Sequence, residues 1–192
     1  MKKLLITGFD AFGGADKNPS WMAVNALPDV VGEFTLCKRM IPTVFGKAAE
    51  TVLAAAEEFR PDVILCVGLA AGRDAVTPER IAVNVRDARI ADNARNRPDG
   101  IPIAENAPAA YFSTVPVKDM AQAIRDAKIP ASVSNSAGTF VCNDTLYTLL
   151  HRFAGTSVRV GFIHIPCLPD QGSPSLPLEA SIRALQAAIG AL

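Results

Sequence analysis

The chain has 192 residues, enough to bury the core of one domain, and its 49% hydrophobic content excludes a disordered polypeptide. Its 19 basic and 19 acidic side chains balance, so no net charge favours binding to nucleic acid or to an anionic membrane. There is no signal-peptide pattern, and no apolar run reaches the ~20 residues of a membrane span. We therefore expect a cytoplasmic protein that folds as a single domain over residues 1–192.

In the first half of the chain, apolar strand-like stretches alternate with stretches of helical spacing. A buried strand is predicted over Lys3–Thr7, and a glycine-rich loop follows it at residues 8–14. The elements predicted next are a helix over Pro19–Leu27, a strand over Phe34–Ile41, a helix over Gly46–Phe59, a strand over Asp62–Gly68 and a strand over Ile81–Val85. The strand over Asp62–Gly68 is almost continuously apolar, which is typical of a central strand covered on both faces.

In the second half, the segment Asp87–Pro108 is polar and dotted with proline, which predicts a long loop. Whether this loop is a lid, an interface or both is left open by the sequence. The elements predicted after it are a helix over Val117–Ala127, a short strand over Ala131–Ser134, a helix that starts near Cys142, a strand over Val158–Ile165 and a helix over Leu176–Ile189. This alternation predicts an α/β fold: a three-layer α/β/α sandwich with a mostly parallel twisted sheet.

Cys142 follows a small-residue turn and stands where a helix is predicted to start. Backbone N–H groups at a helix N-terminus favour negative charge, so a thiol there is expected to lose its proton more easily and become reactive. Cys142 is therefore a candidate nucleophile, although a lone cysteine is most often a small buried hydrophobe. The other cysteines, Cys37, Cys66 and Cys167, form no C-x-x-C pair, so neither a zinc site nor a disulfide scaffold is expected.

Partners for this cysteine are sought at the carboxyl ends of the predicted strands, where sites gather in open α/β sheets. His164 ends the strand over Val158–Ile165, at a place where a general base is needed. His151 lies among apolar residues on the predicted helix and is interpreted as structural or surface-exposed. Asp74 and Glu79, in the loop after the central strand, are both candidates for the carboxylate that orients a catalytic histidine.

Five segments of the chain match, in order, the motifs of a known family. They are Gly8–Gly14 with Asn18-Pro19-Ser20, Gly68–Asn84, Asp87–Asn93, Ser134–Asn143 and Gly161–Pro169. On these motifs the chain resembles the pyroglutamyl peptidase I family (pyrrolidone-carboxylate peptidases) over nearly its whole length. The resemblance implies a phosphorylase/hydrolase-like fold and a cysteine peptidase that needs no metal or cofactor. It also implies removal of N-terminal pyroglutamate (5-oxoproline) from peptides through a thioester, by a cytoplasmic homo-oligomer, either a tetramer or a dimer.

Position by position, the resemblance implies that Cys142 is the nucleophile, His164 the general base and acid, and Glu79 the residue that orients His164. The substrate-binding positions that it implies are Phe9, Phe12, Asn18, Leu69, Arg89, Ile90, Phe140 and Val141. Three positions depart from the common family pattern, in which glutamine is frequent at Leu69, proline at Ala11 and tyrosine at Cys167. Cys167 is expected to be a bystander, because no base is assigned to it.

Two other functions compete with this interpretation. A small-molecule binding module could use the glycine-rich loop at residues 8–14 to hold a phosphate, but that loop fits neither G-x-G-x-x-G nor the P-loop pattern. A family member that has lost activity could keep the fold alone. The presence of all three implied catalytic residues argues against that alternative, and Leu69 is the position that leaves it open.

Overall fold

A six-stranded sheet forms the centre of the molecule in the computed structural model, which describes all 192 residues. The strands of the chain are β1 (Lys2–Phe9), β2 (Val30–Val31), β3 (Phe34–Ile41), β4 (Val63–Leu69), β5 (Thr77–Pro78), β6 (Ile81–Val83), β7 (Ala110–Phe112) and β8 (Arg159–Ile165). The sheet has the order β2-β3-β1-β4-β8-β5, and β6 pairs with β7 separately. Only the short edge strands β2 and β5 run antiparallel within the main sheet, so the predicted mostly parallel sheet is confirmed.

Helices cover both faces of this sheet. They are α1 (Pro19–Asn25), α2 (Lys47–Phe59), α3 (Val117–Asp126), α4 (Val141–Arg152) and α5 (Leu178–Gly190). The first, third and fifth pack against one face, and α2 and α4 pack against the other. The predicted three-layer α/β/α arrangement is therefore confirmed. None of these helices combines the length and the hydrophobicity needed to cross a membrane.

The central strands carry apolar side chains on both faces because both faces are covered. In β1, Ile6 joins the core beneath α1, α3 and α5, whereas Leu5 joins the core beneath α2 and α4. In β8, Ile163 faces the first of these cores and Phe162 faces the second. Successive strand residues point to opposite faces, so His164 lies on the same face as Phe162, beneath α2 and α4.

The differences from the predicted elements lie in short segments. The strand predicted over Ile81–Val85 ends at Val83, and it pairs with β7 outside the main sheet. The strand predicted over Ala131–Ser134 is wrong, because this segment makes only isolated bridges, to Val76 and Glu79. Segments this short cannot display the two-residue period of a strand, so pairing partners determine whether a strand forms.

The segment 87–108 forms the long loop that its composition predicts, and its side chains tie it to neighbouring loops. Asp92 accepts a hydrogen bond from the N–H of Phe45 (3.0 Å) and further hydrogen bonds from N–H groups of its own loop. Asn93 donates from its side chain to the carbonyl of Ala11 (2.9 Å). The 87–108 loop is thereby fixed to the segments that follow β1 and β3.

The substitution Asp92→Asn is expected to lower the free energy of unfolding by about 2 kcal/mol, because it weakens charge-assisted hydrogen bonds at a buried position. Burial alone would raise the pKa of Asp92, but hydrogen bonds from Asn96, Phe45 and Ala94 hold it below its ordinary value of 3.8. A depressed folded-state pKa stabilises the fold above the unfolded pKa. The difference in free energy of unfolding between wild type and variant is therefore largest above about pH 4, and it shrinks as the pH falls below that value. Urea unfolding of both proteins at about pH 7 and about pH 3 measures this difference. An equal difference at the two pH values would contradict a stabilising role for the ionised carboxylate of Asp92.

Candidate active site

Cys142 lies in the first turn of α4, and the two residues after it fix that turn in place. The fully buried side chain of Asn143 accepts a hydrogen bond from the N–H of Val83 (2.9 Å) and donates to the carbonyl of the same residue (2.9 Å). Asp144, also fully buried, forms a 2.7 Å ion pair with Nε of Arg86. These contacts connect the start of α4 to β6 and to the segment after it, so the helical turn that carries the thiol is held in place.

Gly68 allows the thiol of Cys142 to lie close against β4. A Cβ atom at Gly68 would lie 3.0 Å from the sulfur of Cys142 and 2.9 Å from the ring of Phe162, so only glycine leaves enough room. In the register of β4 and β8, Gly68 is paired with His164. The thiol and the imidazole are therefore neighbours at the carboxyl ends of adjacent parallel strands, the edge at which sites of α/β sheets gather.

Glu79 is placed by β5, the edge strand next to β8. Its N–H donates to the carbonyl of Phe162 (2.9 Å), and its side chain is fully buried. Oε1 of Glu79 lies 2.7 Å from Nδ1 of His164. When Nδ1–H donates to this carboxylate, Nε2 of His164 is left free to accept a proton. Asp74, the other carboxylate candidate, is exposed on the preceding loop, so the structure favours Glu79 of the two.

Arg73 is a fourth polar side chain at this site; it lies within the Gly68–Asn84 motif, but the sequence assigned no role to it. Its Nη1 lies 2.7 Å from the same Oε1 of Glu79 and also donates to the hydroxyl of Thr77. Its Nη2 donates to the carbonyl of Ser136 (3.0 Å). The signal that could have found it is its place in the loop after β4, which the strand pattern puts at the carboxyl edge of the sheet.

Burial determines the ionisation of the catalytic candidates. It raises the pKa of Cys142 to about 12, and the negative charge of Glu79 acts in the same direction. The N–H of Cys142 at the helix start does lower this pKa, but lost hydration outweighs it, so the expected net lowering of the pKa is wrong. Burial also lowers the pKa of His164, against the opposing hydrogen bond and charge of Glu79. Near neutral pH the site thus holds a protonated thiol beside a neutral imidazole.

Glu79 itself is ionised although it is buried. Burial alone would raise the pKa of this carboxyl, but its hydrogen bond to His164, the hydroxyl of Ser134 and the positive charge of Arg73 hold the pKa below its usual range. A charged carboxylate in this position can stabilise the imidazolium that forms when His164 takes a proton.

A cavity of ≈ 260 Å³ opens beside the thiol and the imidazole. It is lined by Phe9, Phe12, Asn18, Thr43, Leu69, Ala70, Ala71, Arg73, Ala137, Gly138, Phe140, Cys142 and His164. The ring centres of Phe12 and Phe140 are 6.2 Å apart, and Phe45 makes an edge-to-face contact with Phe140. Because pockets for drug-sized ligands are usually ~300–1,000 Å³, this one suits a small, mostly apolar group.

Most of the predicted substrate-binding residues belong to this cavity: Phe9, Phe12, Asn18, Leu69 and Phe140. Val141 is fully buried in the adjacent core, while Arg89 and Ile90 are exposed and lie outside the lining. A role in substrate binding for those three residues stays a prediction. The lining residues that the sequence did not indicate are mainly small ones in loops, such as Ala70, Ala71 and Gly138, which leave no recognisable pattern.

Asn18 lines the cavity, but its side chain is already hydrogen-bonded within the protein. Its Nδ2 donates to the carbonyl of Asp10 (2.8 Å), and its Oδ1 accepts from the N–H of Ser20 (3.0 Å), which caps α1. Asn18 therefore holds together the two ends of the loop that carries Phe12. A direct contact between Asn18 and a substrate stays a prediction.

The remaining histidine and the cysteine next to the site take no part in this arrangement. His151 is exposed on α4, with its Nδ1 2.8 Å from the hydroxyl of Tyr111, as its interpretation as a structural or surface residue predicts. Cys167 is buried and does not line the cavity. Among the candidate residues, Cys142 and His164 line the cavity, and Glu79 contacts His164.

The substitution Gly68→Ala is expected to reduce kcat by about 10²-fold or more, because the new methyl group displaces the sulfur of Cys142 from its position. Gly190→Ala is the matched control, since a Cβ at Gly190 meets no atom within 4 Å. Hydrolysis rates and thermal unfolding of both variants measure the effect. A Gly68→Ala enzyme with the activity of the control would show that the close approach is unimportant.

A thiol, an imidazole and a carboxylate combined at the carboxyl edge of a parallel sheet, beside a small apolar cavity, define a cysteine-type hydrolase. A family model described as pyroglutamyl peptidase matches residues 2–192. The chain belongs to the pyroglutamyl peptidase family.

Relatives and solved structures agree with this membership. The pyrrolidone-carboxylate peptidase of Levilactobacillus brevis is 52% identical over 99% of this chain and 97% of its own length. That of Escherichia fergusonii is 48% identical over 98% of this chain and 92% of its own length. The crystal structure of Bacillus amyloliquefaciens pyroglutamyl peptidase I matches with a TM-score of 0.97 at 43% identity, covering 100% of this chain and 96% of the other. The pyrrolidone carboxyl peptidase from Thermococcus litoralis matches with a TM-score of 0.93 at 39% identity, covering 98% and 92%.

Proposed function

We propose that this enzyme removes N-terminal pyroglutamate from peptides, with Cys142 as nucleophile, His164 as general base and acid, and Glu79 as the residue that orients His164. The observation that supports this assignment best is the 2.7 Å contact between His164 and the buried Glu79, at the cavity that Cys142 also lines. Family membership supports the substrate class. We propose further that residues 1–192 act as one catalytic domain.

The chemistry of the cavity supports a pyroglutamyl ring as its occupant. This ring is small, flat and uncharged, because cyclisation has removed the free amine. The aromatic and aliphatic walls formed by Phe9, Phe12, Leu69 and Phe140 suit its methylene groups. An ordinary N-terminal ammonium would lose its hydration in such a cavity, which is unfavourable without a partner of opposite charge. The lining therefore favours a blocked, cyclic N-terminus over a free one.

The reaction starts with the thiol of Cys142 protonated and the imidazole of His164 neutral. The sulfur of Cys142 attacks the carbonyl carbon that joins the pyroglutamyl ring to the next residue. His164 takes the thiol proton at Nε2, and Glu79 stabilises the resulting imidazolium. His164 then donates this proton to the departing amine, and the peptide leaves one residue shorter. A water molecule, deprotonated by His164, hydrolyses the thioester, which releases pyroglutamate and restores the thiol.

The N-terminus of α4 supports the negative charge of the tetrahedral intermediate. Phe140 is the N-cap residue, and no side chain caps the helix there. The N–H of Cys142 also lies close enough to its own sulfur to favour the charged form of the thiol. Free N–H groups of a first helical turn are natural partners for an oxyanion, and losing one oxyanion-hole donor, a side-chain amide in a serine peptidase, costs about 3–4 kcal/mol.

We also propose that the enzyme acts in the cytoplasm as a homotetramer or homodimer. The family resemblance supports this assembly, and the balanced charge of the chain fits an enzyme without membrane or nucleic-acid partners. Light scattering coupled to size exclusion measures the mass of the assembly. A monomer at micromolar concentration would contradict the proposal.

The test of the proposed function is hydrolysis of pyroglutamyl-aminomethylcoumarin by the purified, reduced enzyme. We expect release of the fluorophore, and about 10⁴-fold slower release from the prolyl analogue, because that ring lacks the lactam carbonyl and carries a charge. The absence of hydrolysis, or equal rates on both substrates, would refute the assignment. Restoring the frequent glutamine in Leu69→Gln then shows whether this position limits kcat/KM.

A further inference from the structure

Arg73 contacts Glu79 and the loop at Ser136, and through Glu79 it is linked to His164. Its Nη1 lies 2.7 Å from Oε1 of Glu79, and its Nη2 donates to the carbonyl of Ser136 (3.0 Å). The same Oε1 lies 2.7 Å from Nδ1 of His164. One carboxylate oxygen is therefore shared between the guanidinium group and the imidazole, while the second nitrogen of Arg73 holds the loop that leads to Cys142.

The other oxygen of this carboxylate gives Glu79 no further anchor. Oε2 is buried and has no hydrogen-bond partner. The hydroxyl of Ser134 lies near enough to Glu79 to help lower its pKa, but its own hydrogen bond is donated to the carbonyl of Ser136 (3.1 Å). The two contacts at Oε1 are therefore the direct hydrogen bonds that orient the carboxylate, and Arg73 supplies one of them.

We infer that Arg73 is a positioning residue of the catalytic apparatus, which fixes Glu79 against His164 and holds the cavity wall at residues 134–138 in place beside Cys142. This inference rests on the proposed function of the site. Ala137 and Gly138, which follow Ser136, line the cavity, and Arg73 lines it as well. The Arg73 side chain is 30% exposed, so it joins the buried carboxylate to the cavity surface.

The charge of Arg73 acts on the whole group of ionisable side chains. The groups that face one another here are Cys142 on α4, His164 on β8, Glu79 after β5, Cys66 on β4 and Arg73 itself. Burial has the largest influence on the pKa of both Cys142 and His164, and beyond it the charge of Arg73 lowers both. Removal of this charge must therefore raise the pKa of both the thiol and the imidazole. A purely structural role of Arg73 would not produce this change.

The experiment compares the wild type with Arg73→Gln and with the matched control Arg159→Gln. Arg159 is partly buried at the opposite end of β8 and also donates to a backbone carbonyl, that of Leu192 (2.9 Å). The first readout is the rate at which iodoacetamide alkylates Cys142, measured as a function of pH. Peptide mass mapping identifies Cys142 as the alkylated residue. We expect Arg73→Gln to slow alkylation about fivefold or more at a fixed pH near 8, since a tenfold change corresponds to one pKa unit, and Arg159→Gln to leave it unchanged. Because this readout needs no substrate, it is independent of whether the peptidase assay succeeds.

The second readout is hydrolysis of the pyroglutamyl fluorophore. For Arg73→Gln we expect kcat to fall by about 10-fold to 10²-fold with little change in KM, and both limbs of the kcat/KM profile to move to higher pH. Arg73→Lys keeps the charge but loses the forked donor geometry, so its alkylation profile is expected to match the wild type while kcat is still reduced. Arg73→Lys also tests the positioning role of Arg73 if Arg73→Gln does not fold. Unchanged alkylation in Arg73→Gln, or wild-type kcat in Arg73→Lys, would overturn the inference.

Discussion

Replacing Cys142 by alanine is expected to reduce kcat/KM for a pyroglutamyl fluorophore by about 10⁵-fold or more, because no other group at the cavity can form the acyl intermediate. The thermal unfolding midpoint is expected to change little, since alanine keeps the Cβ and removes only the sulfur atom. Cys37→Ala, on the distant β3, is the matched control and is expected to keep full activity. Hydrolysis and intact-protein mass after a single turnover measure the loss. Substantial activity in Cys142→Ala would exclude a thioester on this residue.

Replacing Glu79 by glutamine is expected to lower kcat by about 10²-fold to 10⁴-fold while KM changes little, because a neutral amide cannot stabilise the imidazolium of His164. The amide can also present its N–H₂ group to Nδ1, which would hold His164 in the wrong tautomer. The loss of the charge leaves Arg73 without its carboxylate partner, so a moderate fall in stability accompanies the loss of activity.

Asp74→Asn supplies the matched control for Glu79→Gln, because this exposed carboxylate lies in the same loop. It is expected to have wild-type kcat and KM in the same assay. A comparable loss in both variants would mean that the loop as a whole is sensitive, and not that Glu79 has a specific role.

The elements that positioned the site were predictable because their patterns are long. The central strands β1, β3, β4 and β8 each have seven or eight residues, and the apolar runs of β1, β4 and β8 were visible in the sequence. Cys142 and His164 were indicated by their places at the start of a helix and at the end of a strand. Between Asp74 and Glu79, however, spacing left the choice open. The edge strand β5, whose register with β8 brings Glu79 to His164, has only two residues and no detectable period.

Two features of the site depend on three-dimensional packing that a sequence pattern does not carry. The raised pKa of Cys142 follows from burial, which competes with the helix N-terminus and exceeds it. The contacts of Arg73 depend on a loop whose course is set by long-range pairing, and a lone arginine in a loop is ordinarily a solvated surface residue.

The 87–108 loop has a consequence for how substrate recognition is achieved. Asp92 and Asn93 fix this loop to the segments after β1 and β3, and those segments carry Phe12 and Thr43 of the cavity wall. The binding site is thereby preorganised, so little conformational entropy remains to be lost when a peptide arrives. We expect recognition close to lock-and-key, in which discrimination between cyclic and free N-termini is decided by the fixed walls and not by an induced closure.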